Sequence, residues 1–437
     1  MSTADFGSLL LLLLVLVGLA HLLGNLVAHF GQPRVIGEIL TGVLLSSAVL
    51  GHFFPTISSM LFPDAATAAG SRSVVLGLLY NLGLLMLMFC SGTETRGLFN
   101  GKEWRPVFWL ALVGTGLPFL LAVMAAGSLP LDLLIGTAGK IMPLMLIIAM
   151  AVAVTSIPVI SKIMYDLRIL HTRFARLILA VAVLEDIVLW AILAVAVPLA
   201  DTGVISQKDV AMHLLAVGVY LGVGLLVMPS LLRWLSEAPW NVFARTSPVA
   251  YVFSVLLAYA AVAAAFDVSL VFAAFLAGFG ITSKTTRFEG ACNTISGFSF
   301  AIFIPIYFAI VGYKLDFTRS FSLTLLVAAL VVACAVKLCS AGLGARFAGF
   351  KWKDCLNLSM ALNARGGPGI VLASVAFDAN IINASFYTTL VLVAILTSQM
   401  AGAWLERALR RDGRLLSQEP RQAWPPRSVD LQTSRAA

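Results

Sequence analysis

Charged residues are scarce in this sequence: they make up 11% of its 437 residues, against about a quarter in an average soluble domain. The 5 cysteines are equally uninformative about redox chemistry. Cys90, Cys292, Cys334, Cys339 and Cys355 show no CxxC spacing and fall in or at the ends of apolar runs, which excludes a disulfide framework and leaves them as small fillers. The histidines His21, His29, His52, His171 and His213 are scattered without ligand spacing, so no metal site and no cofactor are expected. A nucleophile–base pair is also missing, which argues against an enzyme. The opening segment, Met1 to Ser8, has no basic stretch of the kind that begins a signal peptide, so the leucine-rich run from Leu9 reads as a retained transmembrane helix.

What is abundant is apolar surface. Hydrophobic residues reach 60%, and the expectation is an all-α polytopic membrane protein. Runs separated by charge clusters or Gly/Pro breaks give about thirteen spans, at 8–30, 35–53, 74–92, 106–127, 141–163, 175–200, 210–233, 247–266, 268–283, 291–313, 321–345, 355–376 and 384–406. Basic residues test this order. With the N-terminus outside, the inward segments collect Arg34; Arg96, Lys102 and Arg105; Lys162, Arg168, Arg173 and Arg176; Arg233 and Arg245; Lys284 and Arg287; Arg346, Lys351 and Lys353; and the tail arginines. The outward ones hold only Arg72, Lys140, Lys208, Lys314 and Arg319. That bias places the C-terminus in the cytoplasm and accounts for the net charge of +8 without nucleic acid. Short loops leave no room for an inserted soluble domain. Compact loops and a short tail suggest a bacterial plasma membrane. The tail, 407–437, is expected to be disordered, basic and too short for a nucleotide-binding regulatory domain. Trp104, Trp109, Trp234, Trp352 and Trp404 fall near span ends, as interfacial anchors do.

Two carboxylates interrupt the sixth span. Glu185 and Asp186 lie together inside Leu177 to Ala200, which carries no other charge, near the membrane midplane. A carboxylate at that depth costs a few kcal/mol on insertion scales, so the pair reads as an ion or proton site. Two spans are broken as well. The fifth contains Thr155, Ser156 and Pro158; the twelfth contains Asn363, Arg365, Gly366, Gly367 and Pro368. Discontinuous helices survive at membrane depth only where the freed backbone groups meet protein or line a cavity. The breaks lie seven spans apart, so the chain divides into two inverted-topology repeats with discontinuous crossing helices, an arrangement that points to a transporter binding site. Lys337, alone in its span, can offset half-helix ends or pair with a carboxylate.

Gly31-Gln32-Pro33-Arg34-Val35-Ile36-Gly37-Glu38-Ile39-Leu40-Thr41-Gly42 resembles the second-helix signature of the Kef-type cation:proton antiporters, of the sodium/hydrogen exchanger superfamily. So do Ala274 to Gly278, Phe303 to Phe308 with Gly312, Leu315 and Asp316, and Ala364 to Gly367, in matching order. The resemblance implies a NhaA/NapA-like fold and a homodimer whose six-helix core moves against a scaffold as an elevator. It divides the chain into scaffold helices at 1–100, core helices at 101–203, a linker helix at 204–240, scaffold at 241–318 and core at 319–406. It makes Asp186 the shared cation and proton carboxylate, with Thr155 and Ser156 beside it as oxygen ligands. Glu185 stands where electrogenic members carry a second aspartate, and Lys337 where they carry its lysine partner, which suggests a Glu185–Lys337 ion pair.

The residues leave alternatives at each point. Asp186 could be a buried structural acid, and Glu185 with Lys337 a purely structural pair. Arg365 either takes part in function or binds the carbonyls freed beside the Gly-Gly-Pro break. Thr155 and Ser156 could merely satisfy the backbone near Pro158. Glu38 is expected to pair with Arg34 at the surface, with Glu94 and Asp316 solvated. His171 sits in a basic loop where it could sense pH. Three readings of function remain: a monovalent cation (Na+ or K+):proton antiporter, an ion-coupled organic-solute symporter of the same architecture, and, from another class, an intramembrane enzyme or ion channel.

Overall fold

The structure is a computed structural model, and it describes residues 3–29, 34–46, 49–56, 71–94, 104–125, 130–170, 172–201, 215–216, 218–266, 268–283, 288–315 and 321–420. Gln32, Pro33, His171, Lys208, His213, Asp316, Arg319 and the tail from residue 421 lie outside them. The chain is helical: α1 (Thr3–His29), α2 (Arg34–Leu45), α3 (Ser71–Glu94), α4 (Trp104–Ala125), α5 (Ile141–Ala153), α6 (Ile157–Asp166), α7 (Arg173–Asp201), α8 (Gly218–Glu237), α9 (Pro248–Ala265), α10 (Leu270–Ser283), α11 (Glu289–Tyr313), α12 (Leu323–Phe347), α13 (Trp352–Leu362), α14 (Gly366–Asp378) and α15 (Ala384–Asp412). Among the described residues 10 helices are long and apolar enough to cross a membrane, with shorter apolar helices at Ile141–Ala153, Leu270–Ile281 and Gly366–Asp378. Two of these shorter helices adjoin the expected breaks, while Leu270–Ile281 is short without one.

Proline dictates where each break falls. A proline ring collides with the carbonyl four residues back. For Pro158 that residue is Val154, which turns to extended backbone (φ −64°, ψ 141°) at the end of α5. Pro158 itself sits in the first turn of α6, where no donor is required. For Pro368 the residue four back is Ala364, which lies outside both α13 and α14.

Packing sorts the helices into two groups. In one, α1 packs on α2, α2 on α11, α3 on α10 and α11, and α9 on α10. In the other, α7 packs on α4, α5, α6, α13 and α14, while α12 lies against α4, α13 and α15. Glycines in the first group let backbones touch. A Cβ on Gly42 would fall 1.7 Å from Ala309 O, and one on Gly312 would fall 1.9 Å from Ile39 O. Two of the signature glycines are thus packing devices for α2 against α11.

Two features differ from expectation. Glu38 is buried rather than surface-paired, 8% exposed, with Oε2 lacking a hydrogen-bond partner, because α1 and α11 cover α2. The tail is also ordered beyond Arg407: α15 runs to Asp412, Gly413 turns the chain in a left-handed conformation (φ 66°), and Leu415 and Leu416 are buried. Polar pairing fixes this return. Asn357 Nδ2 donates to Leu415 O at 2.9 Å, and both the amide and hydroxyl of Ser417 donate to Asp354 Oδ1 at 2.8 Å. Glu419 Oε1 accepts from the amide of Phe174 at the start of α7. Trp104, Trp234 and Trp352 stand exposed near helix ends.

Candidate functional site

The two breaks cross back to back. The Ser156 amide donates to Ala364 O at 2.7 Å, and Thr155 Oγ1 donates to Leu362 O, so each break satisfies backbone freed in the other. Their far ends are joined too, where the amides of Gly136 and Ala138 donate to Ile381 O and Asn380 O at 2.9 and 3.0 Å. At the second break Gly366 adopts φ +38°, and a Cβ there would lie 2.3 Å from Val159 Cγ2 and 2.8 Å from Ser156 Oγ. Gly366 also donates its amide to Ser398 Oγ at 3.0 Å. Pro368 follows inside the first turn of α14, while a Cβ on Gly367 would meet open space.

The C-terminal end of α5 presents carbonyls with no helical partner. Two cations close it. Arg365 Nε donates to Ala151 O at 2.9 Å, and Nη2 donates to Val152 O at 3.1 Å and to Ala333 O at 2.9 Å. Its Nη1 donates to Asn363 Oδ1 at 2.9 Å. Asn363 in turn donates Nδ2 to Cys334 Sγ at 3.3 Å, so this cysteine is a hydrogen-bond acceptor as well as a filler. Arg365, 2% exposed, therefore binds carbonyls at the end of α5 and one on α12.

Lys337 is the other cation. Its Nζ donates to Ala153 O and, at 2.9 Å, to Glu185 Oε1, forming an ion pair with both side chains at 0% exposure. The pair expected from sequence is present. Thr115 Oγ1 donates to the same Glu185 Oε1 at 2.6 Å, while Oε2 has no hydrogen-bond partner. Thr115 lies in a π-type turn of α4, Leu112–Gly116, and sequence reasoning missed it. The polar and glycine residues of Val113-Gly114-Thr115-Gly116 inside an apolar span were the available signal.

Asp186 is fully buried on α7, next in sequence to the ion pair. The helix that carries it, α7, packs on α5, α6, α13 and α14, the halves of both broken crossings. Thr155, Ser156 and Asn363 are likewise fully buried. The structure thus joins Glu185 to Lys337 and Asn363 to Arg365 directly, and ties Lys337, Arg365, Thr155 and Ser156 to backbone groups at the two breaks, with Asp186 on the helix that packs on both. Among the described residues there is no cluster of three His, Cys, Asp or Glu side chains fit for a metal ion. A cavity of about 430 Å³ between α4 and α7 is lined by apolar residues with Thr115 and Glu185.

Comparison with known proteins follows the same line. Residues 10–411 match the family described as sodium/hydrogen exchanger, transmembrane. The chain is similar to Cation/H(+) antiporter 17 of Arabidopsis thaliana, 26% identical over 396 residues that cover 90% of this chain and 47% of the plant protein. It is also similar to the Na(+)/H(+) antiporter NhaS4 of a Synechocystis species, 25% identical over 403 residues, 90% of this chain and 96% of that one. The chain thus spans about half the length of the plant relative and nearly all of the cyanobacterial one. Its fold resembles that of the sodium proton antiporter MjNhaP1 from Methanocaldococcus jannaschii, with a TM-score of 0.64 at 14% identity, covering 93% of this chain and 98% of that one.

Proposed function

The chain belongs to the sodium/hydrogen exchanger family, and we propose that it exchanges a monovalent cation, Na+ or K+, for protons, with Asp186 as the carboxylate that cation and proton occupy in turn. One observation carries the reading. A carboxylate with 0% exposure lies on α7, the helix that packs on both broken crossings, and is next in sequence to a buried ion pair. Such a carboxylate must be neutralised to be stable at membrane depth. A proton and a cation compete for that task, so loading one expels the other, and a barrier-crossing unit that moves only when loaded couples the two flows. Thr155 and Ser156 supply oxygens beside it.

Finer features of the proposal draw on the packing. Counting each broken pair as one crossing, and α10 as another, gives thirteen crossings in two inverted repeats, with the breaks in matching positions. The group around α7 and α12 is the mobile core, and the group around α2, α3, α10 and α11 is the scaffold on which it rides as an elevator. The N-terminus faces outside, the tail faces the cytoplasm of a bacterial cell, and the scaffold joins a second copy in a homodimer. An organic-solute symporter fits less well, because Thr155, Asn363 and Arg365 at the breaks donate to groups of the protein itself, a main-chain carbonyl, a thiol and an amide oxygen.

Proteoliposomes with an internal pH dye test the reading. Addition of Na+ or K+ should drive proton movement in the wild type, and Asp186→Asn should abolish it while melting as the wild type does. Unchanged exchange in that variant would remove Asp186 from the mechanism.

A further inference from the structure

On the face opposite the C-terminal tail, three elements meet at one ammonium group. Lys314, the residue after α11, places Nζ 2.6 Å from Oδ1 of Asp378, the last residue of α14. The same Nζ stands 4.0 Å from the centroid of the Tyr80 ring on α3. Tyr80 donates its hydroxyl to the other oxygen, Asp378 Oδ2, at 2.8 Å. Behind it the Tyr307 ring lies 5.1 Å from that of Tyr80, and the Tyr307 hydroxyl is buried without a hydrogen-bond partner. None of these residues belongs to the buried cluster around Glu185.

A carboxylate with one edge fixed by a tyrosine hydroxyl, facing an aromatic ring, is what a monovalent or small organic cation needs in place of water. Here the position is filled by the protein's own ammonium. The Tyr80 residue is buried, but the Lys314 and Asp378 side chains are partly exposed, at 25% and 39%, so the position is reached from water, and a lysine stem can swing away without unfolding a helix. We propose that Asp378 and the Tyr80 ring form a second cation site, on the face opposite the tail, at which external monovalent cations compete with the Lys314 ammonium. The site spans the two packing groups, since Tyr80 and Lys314 belong to one and Asp378 to the other. The inference rests on the cation-exchange reading for the nature of its ligand, but its geometry is independent of Asp186.

Binding can be measured without transport. Purified full-length Lys314→Ala should gain saturable thermal stabilisation from tetramethylammonium chloride, relative to N-methyl-D-glucamine chloride at equal ionic strength, about threefold or more beyond that of the wild type. Adding Tyr80→Leu should remove the gain, and placing Lys314→Ala in an Asp186→Asn background should preserve it. Equal stabilisation of wild type and Lys314→Ala, none in folded Lys314→Ala, or survival of the effect with Tyr80→Leu would each overturn the site. Lys314→Met, which keeps the aliphatic stem, replaces Lys314→Ala if the latter does not fold. Because the readout is binding, a chain that exchanges no cation would defeat the antiport reading and leave this result standing.

Discussion

Arg365 and Lys337 illustrate how two cations come to rest in an apolar span. Each is anchored first by main-chain carbonyls at the end of α5, and only Lys337 also meets a carboxylate. Removing one member of a buried pair leaves an uncompensated charge, a loss of about 3–5 kcal/mol. Lys337→Met and Glu185→Gln should therefore each lower the melting temperature clearly, while the double variant should melt closer to the wild type than either. Additive losses in that cycle would show the pair to be energetically uncoupled. Glu185 and Asp186 were legible in the sequence because no other charge shares their run, and Lys337 for the same reason. Thr115 was not, because the Gly-Thr-Gly stretch marks an irregular point in its span but does not name its partner, which lies 70 positions away.

At the scale of elements, the breaks were readable because proline names the residue that must leave the helix, four positions back. What proline could not reveal is that Ser156 and Ala364 satisfy each other, so that the two interruptions are one structure. Gly366 is the tight point of that structure, in a left-handed conformation with Val159 and Ser156 in van der Waals reach. Gly366→Ala should cost about 1–3 kcal/mol in backbone strain before any clash is counted. Val159→Ala should recover part of the deficit in a thermal melt by making room for the new methyl. An unchanged melting temperature for Gly366→Ala would show that the crossing can relax. The docked return after α15 was hidden for a different reason. Its composition is basic and polar, and only the burial of Leu415 and Leu416, with Ser417 and Glu419 capping neighbouring groups, sets it apart from a free tail.

For the molecule as a whole, the apolar runs announced helices but not their neighbours, since lipid-facing and partner-facing apolar residues look alike in sequence. The glycines at the α2 and α11 contact are the exception, because their Cβ positions are filled by backbone. The tail segment joins the starts of α7 and α13, which lead into the site. Truncation after Asp412 uncovers Leu415's and Leu416's seats and frees Asp354, losing on the order of 1.5–3 kcal/mol per leucine. The truncated chain should melt earlier and exchange at an altered rate; identical melting would mean the docked segment contributes nothing to the fold. The cluster of Glu185, Asp186, Lys337 and Arg365 also has an electrical consequence. Two negative and two positive side chains cancel, so the cluster carries the same charge whether Asp186 holds a proton or a monovalent cation. Both legs of such a cycle carry equal charge in opposite directions, so one-for-one exchange moves no net charge and a clamped voltage should leave its end point unaffected. An end point that shifts with voltage would mean that a second proton rides on the Glu185–Lys337 pair, which turns the lysine from a structural counter-charge into part of the current.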